Sequence, residues 1–78
     1  MNDPDPKTIT VGKYIHTKTG KLYEVVGVAL HSETSEQLVV YKPLYTAEFE
    51  FFVRPYEMFI GKVEIAGTLQ PRFQKVTD

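Results

Sequence analysis

The chain has 78 residues, a formal net charge of −1, no cysteine, no tryptophan and ten Tyr or Phe residues. That is one small domain with no disulfide to staple it, so large apolar side chains must supply its core. No clustered basic stripe of the kind that non-specific nucleic-acid binding needs forms in the sequence, and no apolar run approaches the roughly 20 residues that span a bilayer.

Residues 1–10, with Asp3, Pro4, Asp5 and Pro6, lack the basic start and apolar run of a secretory signal and read as a mobile tail ahead of a single domain over 11–75, with 76–78 frayed. The cytoplasm is the expected location. From Gly12 onward, short β-rich runs alternate with turn signals, and no stretch carries a helical period. Residues 13–17 form a first strand with Tyr14 and His16 on one face; Lys18-Thr19-Gly20-Lys21 is its turn. Residues 22–31 form the longest strand, with Tyr23, Val25, Gly27, Ala29 and His31 on one face and a bulge or bend at Gly27. A polar connection over 32–37 leads to a strand over 38–45, whose Pro43 marks an edge or a bulge.

In residues 49–54 the alternation predicts Phe49, Phe51 and Val53 inward, with Phe52 and Arg54 on the outward face beside Glu48 and Glu50. Pro55 ends this strand, residues 56–60 make one helical or 3₁₀ turn closed by Gly61, and 62–65 with 69–73 form a terminal hairpin. The pattern is all-β: a small, strongly bent SH3-like barrel of five to six antiparallel strands with one short helical turn, or else an OB-like barrel. Tyr14, Tyr23, Phe49, Phe51, Phe59 and Phe73 are the expected core, leaving Tyr41, Tyr45, Phe52 and Tyr56 in surplus.

Chemistry is sparse. His16 and His31 on inward faces with Glu33 nearby suggest a metal, but zinc wants four ligands and there is neither a cysteine nor a third histidine, so no metal and no cofactor are expected. His31-Ser32-Glu33-Thr34 has the composition of a nucleophile site, yet adjacent strand residues point to opposite faces, so His31 is badly placed as base for Ser32. The same hydroxyls can instead bond the backbone of a tight turn. Phe52 with Arg54, and Tyr41 and Tyr45 on the preceding strand, combine aromatic faces with a guanidinium fork, a set suited to a peptide, a carboxylate or a flat base.

Taken together, Gly12-Lys-Tyr14-Ile-His16, the run from Tyr23 through Gly27 to His31-Ser-Glu-Thr34, Val39-Val-Tyr41, Leu44-Tyr45, Val53-Arg54-Pro55, Glu57-Met58-Phe59 and Pro71-Arg72-Phe73 resemble the bacterial Domain of Unknown Function 1653 family over residues 12–73. The resemblance implies a small, mostly β, SH3-like barrel with no assigned activity. It points to His16, His31, Ser32, Glu33, Tyr41, Tyr45, Arg54 and Arg72 as site residues; Phe52 stands where the family pattern carries Trp, and Leu30 where it carries a basic residue. The expected function is a non-catalytic binding or adaptor module, using these residues with Thr34 and Phe52, for a protein segment or a small polar or anionic ligand. Two other readings stay open: a barrel for RNA or single-stranded nucleic acid, and a small hydrolase or transferase using the His-Ser-Glu-Thr motif.

Overall fold

The structure is a computed structural model and describes residues 5–77. Of the expected tail and frayed end, residues 1–4 and 78 lie outside the described residues. The chain is all-β with one short helix. Strands β1 (Gly12–His16), β2 (Leu22–Leu30), β3 (Gln37–Pro43) and β4 (Phe52–Pro55) precede helix α1 (Tyr56–Phe59), which is followed by β5 (Lys62–Ile65), β6 (Thr68–Pro71) and β7 (Phe73–Lys75). Five strands form an antiparallel sheet in the order β4-β3-β2-β1-β7, and β5 with β6 forms a separate hairpin.

No barrel closes. Strands β4 and β7 are the two edges of the sheet, and β4 is only four residues long, its last residue Pro55, which has no N–H, handing the chain to α1. The expected last strand is also divided: Pro71 ends β6, Arg72 turns the chain, and Phe73 begins β7 beside β1, with His16 opposite Phe73. Curvature still brings the edges together, since the Arg54 guanidinium of β4 lies over the Phe73 ring of β7 at 5.4 Å.

Register decides which side chains form the core. Directly opposed residues of antiparallel strands share a face, so buried Val39 and Tyr41 carry their β4 partners Arg54 and Phe52 to the inner face. The outward placement of Phe52 and Arg54 is therefore corrected. Phe49 and Phe51, expected in the core, precede the strand and are 67% and 48% exposed, and Val53 is 57% exposed. Within β2, the register shifts between Val25 and Gly27, the bulge expected there. It also inverts the alternation: Val28, opposite Val39, joins Tyr23 and Val25 on the inner face, and Ala29 leaves it.

The core is Tyr14, Tyr23, Val25, Val39, Tyr41, Phe59 and Phe73, with Ile9, Tyr45, Phe52 and Tyr56 packed against it. Tyr41, expected in surplus, is 4% exposed. Phe59 is the single large side chain that α1 buries, and it stacks flat on Phe73 with 4.0 Å between centroids and meets Tyr14 and Tyr41 at 5.7 and 5.3 Å. Gly61 closes the helix because a Cβ there would lie 3.0 Å from the Glu57 carbonyl oxygen.

Candidate functional site

The inner face ends in an aromatic floor. Tyr23 meets Tyr41, Tyr45 and Phe73 edge-on at centroid separations of 5.3, 5.5 and 5.9 Å, and Phe52 lies 5.8 Å from Tyr41. Such edge-to-face pairs add to simple burial because a positive ring edge meets a negative ring face. The Tyr23 and Tyr45 hydroxyls share a hydrogen bond of 2.9 Å, and the Lys21 ammonium lies 4.8 Å above the Tyr45 ring. Burial, and then the bond to Tyr45, push the Tyr23 hydroxyl far above its ordinary value of 10.0, so it stays protonated at any physiological pH.

Nitrogen-bearing side chains meet at one ring of this floor, that of Phe73. Phe59 covers one face of the ring, and the Arg54 guanidinium lies over it at 5.4 Å while Arg54 Nε donates to the Tyr41 hydroxyl at 3.2 Å. The His16 imidazole packs edge-to-face on the same ring at 4.8 Å. Arg72, next to Phe73 in the chain, is fixed from three directions: its N–H donates to Gly61 O at 2.9 Å, its carbonyl accepts from Thr17 N at 3.0 Å, and its Nε donates to Met58 O at 3.2 Å. Both guanidinium groups thus rest on neutral oxygens, and neither pairs with a carboxylate among the described residues.

The imidazole is held by its own turn. Thr19 N donates to His16 Nδ1 at 3.3 Å, with Thr19 Oγ1 3.1 Å away. A backbone N–H can only donate, so Nδ1 accepts and the proton of the neutral ring sits on Nε2. Partial burial lowers the His16 pKa below its ordinary 6.5, and the charges of Arg54, Arg72 and Lys18 lower it further. At neutral pH the group is a neutral N–H donor beside two permanent cations.

The structure brings His16 and Arg54 together on Phe73, with Arg54 bonded to the Tyr41 hydroxyl, and places Arg72 near enough for its charge to act on His16; Tyr45 and Phe52 belong to the floor around Tyr23. Left out are His31, Ser32, Glu33 and Thr34. His16 lies next to the start of β2, where His16 N donates to Lys21 O, whereas His31 follows its far end, nine residues or about 30 Å of extended chain away at about 3.3 Å per residue. His16 does not reach Ser32 across the sheet. All four residues of that motif are exposed, and their bonds close a loop: His31 Nδ1 accepts from Glu33 N at 3.2 Å and Thr34 N at 3.3 Å, Thr34 Oγ1 accepts from Glu36 N at 3.2 Å, and Ser35 sits at φ 62°. The motif is a self-bonded turn between β2 and β3.

Two contributors escaped sequence reasoning. Phe73 counted only as core, yet its ring is the surface on which His16 and Arg54 meet. Thr19, which sets the His16 tautomer, follows it by three residues in a Gly-containing turn, a spacing at which hydroxyl side chains bond nearby groups. The site is an open surface, and among the described residues the fold encloses no cavity and gathers no cluster of three metal-ligating side chains. Among the described residues no helix is long and apolar enough to cross a membrane.

Comparisons with known proteins agree with this architecture. A crystal structure of a family member from Bordetella bronchiseptica is 35% identical, superposes with a TM-score of 0.81 and covers 87% of each chain. No curated protein matches the sequence. The sequence model of the family described as "Protein of unknown function (DUF1653)" matches residues 12–75, which span β1 to β7 and hold His16, Arg54 and Arg72, and the chain therefore belongs to the DUF1653 family.

Proposed function

We propose that the protein is a non-catalytic binding module that recognises an anionic group, on a protein segment or a small polar ligand, through His16, Arg54 and Arg72. The observation that carries this reading is the meeting of His16 and Arg54 on Phe73, with Arg72 near enough for its charge to act on His16 and no carboxylate paired with either guanidinium among the described residues. Guanidinium groups held by their Nε atoms keep their terminal nitrogens available as forks for oxyanions, a geometry that lysine does not offer. Loop closure by the His-Ser-Glu-Thr motif speaks against a hydrolase, since His31 Nδ1 is engaged by two backbone N–H groups of its own turn. A polyanionic strand would meet a chain of net charge −1, which speaks against the nucleic-acid reading.

The test is a titration of the folded protein with acetate and with inorganic phosphate, followed by amide and side-chain NMR at ionic strength matched with chloride. Shifts centred on His16, Arg54, Arg72 and Phe73 are expected, and Arg54→Ala and Arg72→Ala should each weaken binding about tenfold, the effect of one bond to a charged group. Identical spectra in chloride and in both anions would overturn the reading.

A further inference from the structure

We infer that the anionic group this site takes is a phosphoryl group, a phosphomonoester or free phosphate, held by the terminal nitrogens of Arg54 and Arg72 and by the Nε2–H of His16. This rests on the reading of the site as an anion receptor and goes further in naming the ligand. Three features of the geometry separate a phosphoryl group from a carboxylate.

The first is the number and origin of the donors. Arg54 comes from β4, Arg72 from the link between β6 and β7, and His16 from the end of β1, so the three donors come from separate elements: Arg54 and His16 meet on Phe73, and Arg72, anchored on Met58 O, lies near enough for its charge to act on His16. Three terminal oxygens in a tetrahedral arrangement can receive donors from three directions, whereas a planar carboxylate offers two oxygens in one plane. The second is charge. With Nδ1 accepting from Thr19 N, His16 is a neutral donor, so the site presents two positive charges, matching a phosphomonoester dianion of about −1.5 to −2 at neutral pH better than a carboxylate of −1. The third is availability. Each Nε is bonded within the chain, to Tyr41 OH and to Met58 O, and that fixes the guanidinium planes, while the terminal nitrogens and His16 Nε2 have no hydrogen-bond partner among the described residues. A phosphodiester has only two non-bridging oxygens and one charge, so a nucleic-acid backbone fits this donor set less well.

The experiment compares inorganic phosphate, a phosphoserine peptide, acetate and a single-stranded oligonucleotide on the full chain at pH 7.5 and constant ionic strength, reading His16 Nε2 and Arg54 Nε by ¹⁵N NMR. Phosphate is expected to bind about tenfold or more tightly than acetate, the worth of one further bond to a charged group, and to shift His16 Nε2. His16→Ala should reduce phosphate to near parity with acetate, and His16→Gln, whose amide can still donate, should recover part of the preference. A phosphoserine peptide that outbinds inorganic phosphate identifies a protein segment as the source, and equal binding identifies the free group. Equal affinity of wild type for acetate and phosphate, or a preference that survives His16→Ala, would sink the phosphoryl assignment while leaving the anion receptor standing. Tighter binding of the oligonucleotide than of either phosphomonoester probe would overturn it in favour of a phosphodiester. Failure of every anion to shift these residues would remove both readings.

Discussion

At the scale of single residues, the same ten aromatics do unequal work. Phe59 is 1% exposed, stacked on Phe73 and braced by Tyr14 and Tyr41. Its truncation to alanine leaves a hole among rings that cannot collapse, and Phe→Ala changes of this kind cost about 3–5 kcal/mol. A domain of this length has roughly 4–12 kcal/mol in all, so Phe59→Ala should be largely unfolded or shifted to a much lower urea midpoint. Phe49→Ala, at a residue two-thirds exposed, should move the midpoint by less than about 0.5 kcal/mol. Urea unfolding of the two variants side by side checks both, and a large loss in Phe49→Ala would contradict the register of β4. His16 makes a second prediction. Its pKa is lower in the folded state than its ordinary 6.5, by burial first and then by Arg54, Arg72 and Lys18. The unfolded chain therefore binds the proton first as pH falls, and this residue's contribution to stability is complete above about 6.5 and declines below it until the folded state is protonated too. Thermal unfolding between pH 8 and pH 5 should show a fall in Tm across that window that is smaller in His16→Gln. Equal slopes in the two proteins would refute the assignment.

At the scale of elements, β5 and β6 are joined by Ala66 and Gly67 with φ of 53° and 80°, both left-handed, as a two-residue hairpin of primed type requires. Gly67 takes that conformation freely, whereas alanine is strained in it. Ala66→Asn, which suits both turn positions, should stabilise the protein by about 0.5–1 kcal/mol, read as a raised urea midpoint with an unchanged m-value. Turns of this kind were legible because their signal is local. Strand existence was legible for the same reason, and so was the bulge, since Gly27 interrupts an otherwise β-branched run. Facing was not. Phe49, Phe51 and Val53 alternate as convincingly as Phe52 and Arg54, and what chooses between the two sets is pairing with β3, where Tyr41 opposes Phe52 and Val39 opposes Arg54. Half of the candidate site followed from that choice. Arg54 stands on the face opposite to the one its alternation predicts, and His31 is denied its expected face by the bulge and the end of β2.

At the scale of the whole molecule, seven buried side chains form the core, and the partly buried ones packed on it close its rim. One closure comes from a segment expected as a tail. Ile9 packs on the core, Lys7 N donates to Gln37 Oε1 at 2.7 Å, Gln37 Nε2 returns a bond to Asp5 O at 3.0 Å, and the carbonyls of Thr8 and Thr10 accept from the hydroxyls of Tyr56 and Tyr14 at 2.8 and 2.7 Å. These bonds tie residues 5–10 to β1, β3 and α1 at once, so the segment acts as a strap across the open sheet. If it is part of the cooperative unit, Ile9→Ala should cost about 1–2 kcal/mol for the lost burial and Tyr56→Phe about 1 kcal/mol for the lost hydrogen bond. Both substitutions loosen the same strap, so the double variant should lose less than the two added together, by about 0.5 kcal/mol or more, because the second removes an interaction the first has already weakened. Urea unfolding of the two single variants and the double variant measures that coupling directly. Strict additivity would mean that Ile9 and Thr8 are held independently, and two losses near zero would mean that the folded core does not depend on the strap.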